Sequence, residues 1–160
     1  MCAVTRLWDR ADLIAWRRSL RDDGRTLVFT NGCFDILHVG HVRLLEAASQ
    51  LGDRLLVGLN SDDSVRRLKG PARPVVTLEE RAETIAALRC VDRVVGFDED
   101  TPLALITLVV PEVLVKGGDW TPDRVVGRDV VEAGGGHVII IPLVRGRSSS
   151  ALLDKIRGLG

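Results

Sequence analysis

The residues best suited to do chemistry stand near the N-terminus, in "LVFTNGCFDILHVGH" (27–41). His38 and His41 are two of only 3 histidines in the chain. Their spacing of three puts both rings on one face of the first turn of a helix. Unpaired backbone N–H groups and the positive end of the helix dipole make such a turn a seat for an anion. Gly40, between them, removes a side chain and lets a ligand approach the backbone. Phosphate suits this arrangement. Two other readings stand beside it. A histidine at a helix start commonly serves as a surface or capping residue, and a histidine pair can hold zinc. Helical zinc pairs, however, usually sit at i and i+4, and no third ligand stands nearby in the sequence.

The elements that would position these residues follow from apolar patterning. Residues 9–22 carry Leu13, Trp16 and Leu20 at helical spacing and stop near Gly24. Short apolar runs at 26–30, 54–60, 92–97, 112–116 and 136–143 predict five strands. They are continuous rather than alternating, as buried parallel strands are. A helix over 38–51 places Val42, Leu45 and Ala48 on one stripe and ends at Gly52. A polar loop over 61–76 precedes a helix opened by a Thr77–Glu80 capping box. Thr101-Pro102 and Thr121-Pro122 predict two further helix starts, and "SSSALLDKIRGLG" predicts a last helix. Strand and helix alternate throughout, so the chain predicts an α/β fold with a parallel sheet wrapped on both faces.

Composition sets outer limits. The 160 residues fit one domain, with 46% hydrophobic and 28% charged residues. Cations and anions number 22 each, which argues against a general nucleic-acid binder. Arginine supplies nearly all the cations and suits bidentate phosphate contacts. Cys2, Cys33 and Cys90 form no CxxC pair, so neither a zinc ribbon nor a disulfide framework is indicated. No signal peptide or membrane-spanning run is present. A cytoplasmic setting is expected.

"TNGCFDILHVGH" resembles the HxGH signature of the nucleotidyltransferase superfamily, in its cytidylyltransferase-like branch. "NSDDSVRRLKGPARPV", "TLEERAETIAAL", "VDRVVGFDEDTP", "VLVKGGDW" and "RGRSSSALLDKI" extend the likeness to the adenylyltransferases that activate D-glycero-D-manno-heptose 1-phosphate. It runs from about residue 25 to the end, which sets a transferase domain at 25–160 and a helical extension at 1–24. In many members this domain is fused behind a sugar kinase, whereas this chain starts just before the domain, so a stand-alone form is expected. The fold expected is a single Rossmann-like, doubly wound sheet of five parallel strands in the order 3-2-1-4-5.

The resemblance implies attack by an acceptor phosphate on the α-phosphorus of ATP, with release of pyrophosphate. No covalent enzyme intermediate is needed, so the protein must position anions and stabilise developing charge. His38 and His41 would donate to the triphosphate, and Lys69 would lie over it. A solvated loop lysine is the competing account of Lys69. Thr30, Asn31, Gly32, Cys33 and Phe34 would line the nucleotide, mainly with backbone, and Cys33 would not be a nucleophile. Asp35 would orient the loop, contact the acceptor, or cap the next helix.

Two further strand ends would complete the crevice. Asn60, Ser61 and Asp62 are ordinary turn residues that would also meet acceptor hydroxyls. In "KGGDW", Lys116 would meet phosphate, Gly118 would permit close approach, and Asp119 and Trp120 would hold or stack on a sugar. Arg145 or Arg147, with Ser148 and Ser149, would meet the β- and γ-phosphates, although one serine could be a plain cap. Relatives show Ser-Thr-Thr where this chain has three serines, so the hydroxyls remain and two methyls are missing. Magnesium would ride on the triphosphate without a protein cage. Small-molecule substrates, no nucleic acid, no membrane and a homodimer are expected. The rivals are a glycerol-3-phosphate-type cytidylyltransferase using CTP and a non-catalytic nucleotide sensor.

Overall fold

The computed structural model describes residues 7–118, 120–142 and 148–159. Five strands, β1 (Leu27–Gly32), β2 (Arg54–Asn60), β3 (Arg93–Phe97), β4 (Val113–Gly117) and β5 (His137–Ile141), form one parallel sheet. Their order is β3-β2-β1-β4-β5, as expected. Among the described residues, seven α-helices surround it: α1 (Arg10–Asp22), α2 (Val39–Ser49), α3 (Asp62–Lys69), α4 (Leu78–Ala86), α5 (Leu103–Val109), α6 (Arg128–Ala133) and α7 (Ser149–Arg157).

The strand period of two divides each apolar run between two cores. Leu27, Phe29, Leu56 and Leu114 point to one side, where α1, α5 and α6 add Leu13, Leu20, Leu105, Ile106, Val109 and Val131. Val28, Leu55, Val57, Leu59, Val113 and Val115 point to the other, against Leu44, Leu45 and Ala48 of α2 and Ala82 and Ile85 of α4. The sheet is therefore wound in both directions from β1. The strand order reverses between β1 and β4, and a doubly wound sheet opens its ligand crevice at that reversal.

Four expectations change in detail. The segment 61–76 is not wholly loop, because Ser61 caps α3 by accepting from the Ser64 N–H. Helix α5 is capped by Pro102 with no side-chain bond, so Thr101 is not its cap. The Thr121-Pro122 start yields only a 3-10 turn, Pro122–Arg124, and α6 begins after Gly127 at φ 87. A Cβ there would come within 2.6 Å of Ile106, so only glycine turns the chain so tightly. On α2, Val42 is half-buried and Leu44 lies in the core beside Leu45 and Ala48. The Thr77–Glu80 capping box is present as drawn from the sequence.

Helix α1 is part of the core as well as an N-terminal element. Leu13 and Leu20 are buried with the sheet, and the buried Arg17 donates to the carbonyls of Val109 and Val110 and to Glu112. Just before it, Trp8 bridges Val95 in parallel and extends the β3 edge.

Candidate active site

The crevice is built where β1 and β4 end side by side. Thr30 Oγ1 donates to the Val115 carbonyl at 3.1 Å, and Lys116 Nζ donates to Asn31 Oδ1 at 2.8 Å. Lys116 is thereby committed to the first loop, and burial lowers its pKa. Trp120 is exposed on the rim, with Lys116 Nζ 6.0 Å from its ring centre. Gly118 turns the chain there at φ 121.

From Cys33 to Leu37 the chain makes a tight loop, with Phe34 at φ 48 and Ile36 at φ 54. Left-handed backbone is uncommon for such side chains and persists only where the surroundings hold it. Asp35 is one reason that it persists here. Its buried carboxylate accepts from Arg73 Nε at 2.6 Å and from the amides of Val75 and Val76. Burial pushes its pKa up, but the amide and guanidinium donors outweigh burial and hold it below the ordinary aspartate value. Asp35 orients the loop and does not cap α2.

The cap of α2 is His38, whose Nδ1 accepts from the Gly40 N–H at 3.1 Å. His38 therefore does the job of a capping residue while its ring stacks on His41, with centres 3.8 Å apart. Phe34 lies against His41 from another side, 5.1 Å away and tilted. Burial first, and then the neighbouring His38, drop the His41 pKa to about 4, against a small opposing pull from Asp35. The ring is neutral at physiological pH.

Two more elements close on the loop. Ser149 Oγ donates to the Asp35 carbonyl, so the N-terminus of α7 meets the loop that leads to the N-terminus of α2. Ser148 caps α7 by accepting from the Ala151 N–H. Lys69 ends α3, is exposed, and makes its charge felt at the Cys33 thiol. Burial pushes that thiol up while Lys69, Arg81 and Arg73 pull it down, which suits a loop residue rather than a nucleophile. Cys2, Asp119, Arg145 and Arg147 lie outside the described residues.

Arg81 is the organiser that patterning alone did not single out. Fully buried on α4, it donates to the carbonyls of Val76, Cys33 and Asn60 and to Asp62 Oδ1. One guanidinium thus ties the ends of β1 and β2 to the segment before α4. Asn60 is buried and bonded to Ser64, whereas Asp62 is partly exposed. An arginine on the apolar face of a helical pattern was the available signal, since such a residue must find partners inside. Among the described residues, no three His, Cys, Asp or Glu side chains gather as metal ligands. No helix among them is long and apolar enough to cross a membrane.

A doubly wound sheet thus brings two helix N-termini, joined by one loop, and a histidine pair to the reversal of strand order. The sequence model of the cytidylyltransferase-like family matches residues 29–141, and the chain belongs to that family. It is 57% identical over 150 residues to the "Bifunctional protein HldE" of Syntrophotalea carbinolica, covering 89% of this chain and 31% of that protein. Its likeness to the protein of the same name from Geotalea uraniireducens is 61% over 134 residues, 84% of this chain and 27% of the other. The chain spans about a third or less of the length of these relatives. A lipopolysaccharide core biosynthesis protein from Thermoplasma volcanium shares the fold at a TM-score of 0.62 and 30% identity. That match covers 76% of this chain and 98% of the other.

Proposed function

We propose that the chain joins ATP to D-glycero-D-manno-heptose 1-phosphate, giving ADP-heptose and pyrophosphate. The observation that carries this reading is the 57% identity to a bifunctional HldE protein over 150 residues, 89% of this chain. An oxygen of the sugar phosphate attacks the α-phosphorus, and the bond to the β-phosphate breaks. His38 and His41 serve the triphosphate as N–H donors, and Lys69 adds positive charge from the end of α3. Thr30 to Phe34, Gly40, Arg145 and the serines of α7 hold the nucleotide. Lys116 acts there through Asn31. Asp62, Gly118, Asp119 and Trp120 face the acceptor, while Asp35 and Asn60 shape its walls from within.

Magnesium would be carried on the nucleotide, where it would neutralise charge on the phosphates. The working enzyme is a cytoplasmic homodimer, with the transferase unit at 25–160 preceded by a helical extension at 1–24. The cytidylyltransferase-like family description leaves room for one second reading, transfer from CTP, for which glycerol 3-phosphate is the acceptor to test.

Pyrophosphate release, measured with magnesium across four nucleoside triphosphates and both acceptors, tests the proposal. Turnover with ATP and the heptose phosphate supports it. Turnover only with CTP and glycerol 3-phosphate replaces it with the second reading. Nucleotide binding without turnover on any acceptor leaves a sensor.

A further inference from the structure

The two histidines differ in what holds their Nδ1 atoms, and each arrangement dictates a proton position. His38 Nδ1 accepts the Gly40 N–H at 3.1 Å, so it carries a lone pair and the ring proton sits on Nε2. His41 Nδ1 is buried with no partner among the described residues. The ring packs between His38 at 3.8 Å and Phe34 at 5.1 Å. Nδ1 is sealed whichever nitrogen holds the proton, so a ring that donates to a ligand must hold its single proton on Nε2, and a second proton would bury an unpaired charge. Nε2 is therefore the nitrogen through which His41 meets a ligand.

Phe34 is in place to enforce this. It is 5% exposed, its backbone is held at φ 48, and its ring also fills the space beside Gly32. We propose that Phe34 and the Gly40 amide set the tautomers of the histidine pair, keeping both protons on Nε2 so that His41 meets a phosphate as a neutral N–H donor. Phe34 is thus a positioning residue that acts through His41. Among the described residues, the charged and titratable groups facing His41 are His38, at the cap of α2, and Asp35, in the loop. They act in opposite directions, so burial, to which the Phe34 ring contributes, decides the outcome. This inference rests on the transferase reading for its purpose, but its test does not.

The test is nitrogen-15 NMR of histidine-labelled full-length protein without ligand, comparing wild type with Phe34→Leu. Three histidines give three spin systems, assigned with His137→Gln and His38→Asn. In the wild type, His38 and His41 should both show a protonated Nε2 and a bare Nδ1 at neutral pH, and His41 should keep that state down to about pH 5. Phe34→Leu should raise the acid transition of His41 by a pH unit or more and mix its tautomers. His38 should keep its tautomer in that variant. A wild-type His41 with its proton on Nδ1, or one doubly protonated by about pH 6, overturns the proposal. So does a Phe34→Leu spectrum in which His41 is unchanged. If Phe34→Leu does not fold, the wild-type tautomers alone decide. Failure of the pyrophosphate assay would leave these spectra as they are, so the two readings fail separately.

Discussion

At the scale of the residue, His38 and His41 share a motif but not an environment. His38 is tied to its own helix through Gly40, whereas His41 is wedged between two rings with one nitrogen sealed. His41→Ala should fold normally, because the Nδ1 of this ring makes no hydrogen bond among the described residues. Its kcat should fall by about 10²–10³, the usual cost of deleting one transition-state donor. Unchanged turnover in the pyrophosphate assay would remove His41 from the chemistry. Lys69 is a second case, exposed at the end of α3. Lys69→Ala should weaken triphosphate binding and turnover by roughly tenfold or more, consistent with loss of a charge-assisted contact. A nucleotide titration with intact affinity would make it a solvated cation only.

Elements depend on two buried arginines that act as ties. Arg81 joins three loops of the crevice from α4, and Arg17 fastens α1 to the end of α5. Arg17→Ala leaves the carbonyls of Val109 and Val110 without that donor and frees Glu112, which still accepts from the Leu27 amide. The cost should be about 2–4 kcal/mol, the range for unsatisfied buried polar groups and a broken, partly buried ion pair. Urea denaturation measures it, and a loss under about 0.5 kcal/mol would show that α1 is held by Leu13 and Leu20 alone. Turnover per folded molecule should be unchanged, since Arg17 packs on the far face of the sheet from α2.

For the whole molecule, the buried titrating groups set an acid limit. Unfolded His41 binds its proton near 6.5 and folded His41 near 4. Between those values the unfolded chain holds the extra proton, so stability falls as pH drops through this window and levels off below it. At 1.36 kcal/mol per pH unit the full window is worth about 3 kcal/mol, and partial exposure reduces this to about 2. Asp35 acts in the same direction at lower pH. Its folded pKa is below 3.8, so its contribution is complete above the unfolded value and is lost as pH falls through the folded one. Denaturation midpoints at about pH 7, 5.5 and 4.5 should decline in wild type and decline less in His41→Ala. Parallel slopes would show that His41 is hydrated in the native state.

Much of this was legible before folding. Continuous apolar runs and their alternation with helical patterns determine a parallel, doubly wound sheet, because only strands covered on both faces can be apolar throughout. The β1 loop and its histidines are equally legible, since their chemistry lies in one short segment after a strand. What needed tertiary structure was the division of labour inside the crevice. Lys116 turns to Asn31, Asp35 is filled by Arg73 and two distant amides, and Ser148 caps while Ser149 crosses to the Asp35 carbonyl. Helix α3 was hidden because its eight residues, mostly charged, show little apolar repeat. Arg81 was hidden because its partners come from three separate segments, 5 to 48 residues away along the chain. Local pattern determines which elements form; burial of charge, which depends on partners distant in sequence, is decided only when those elements meet.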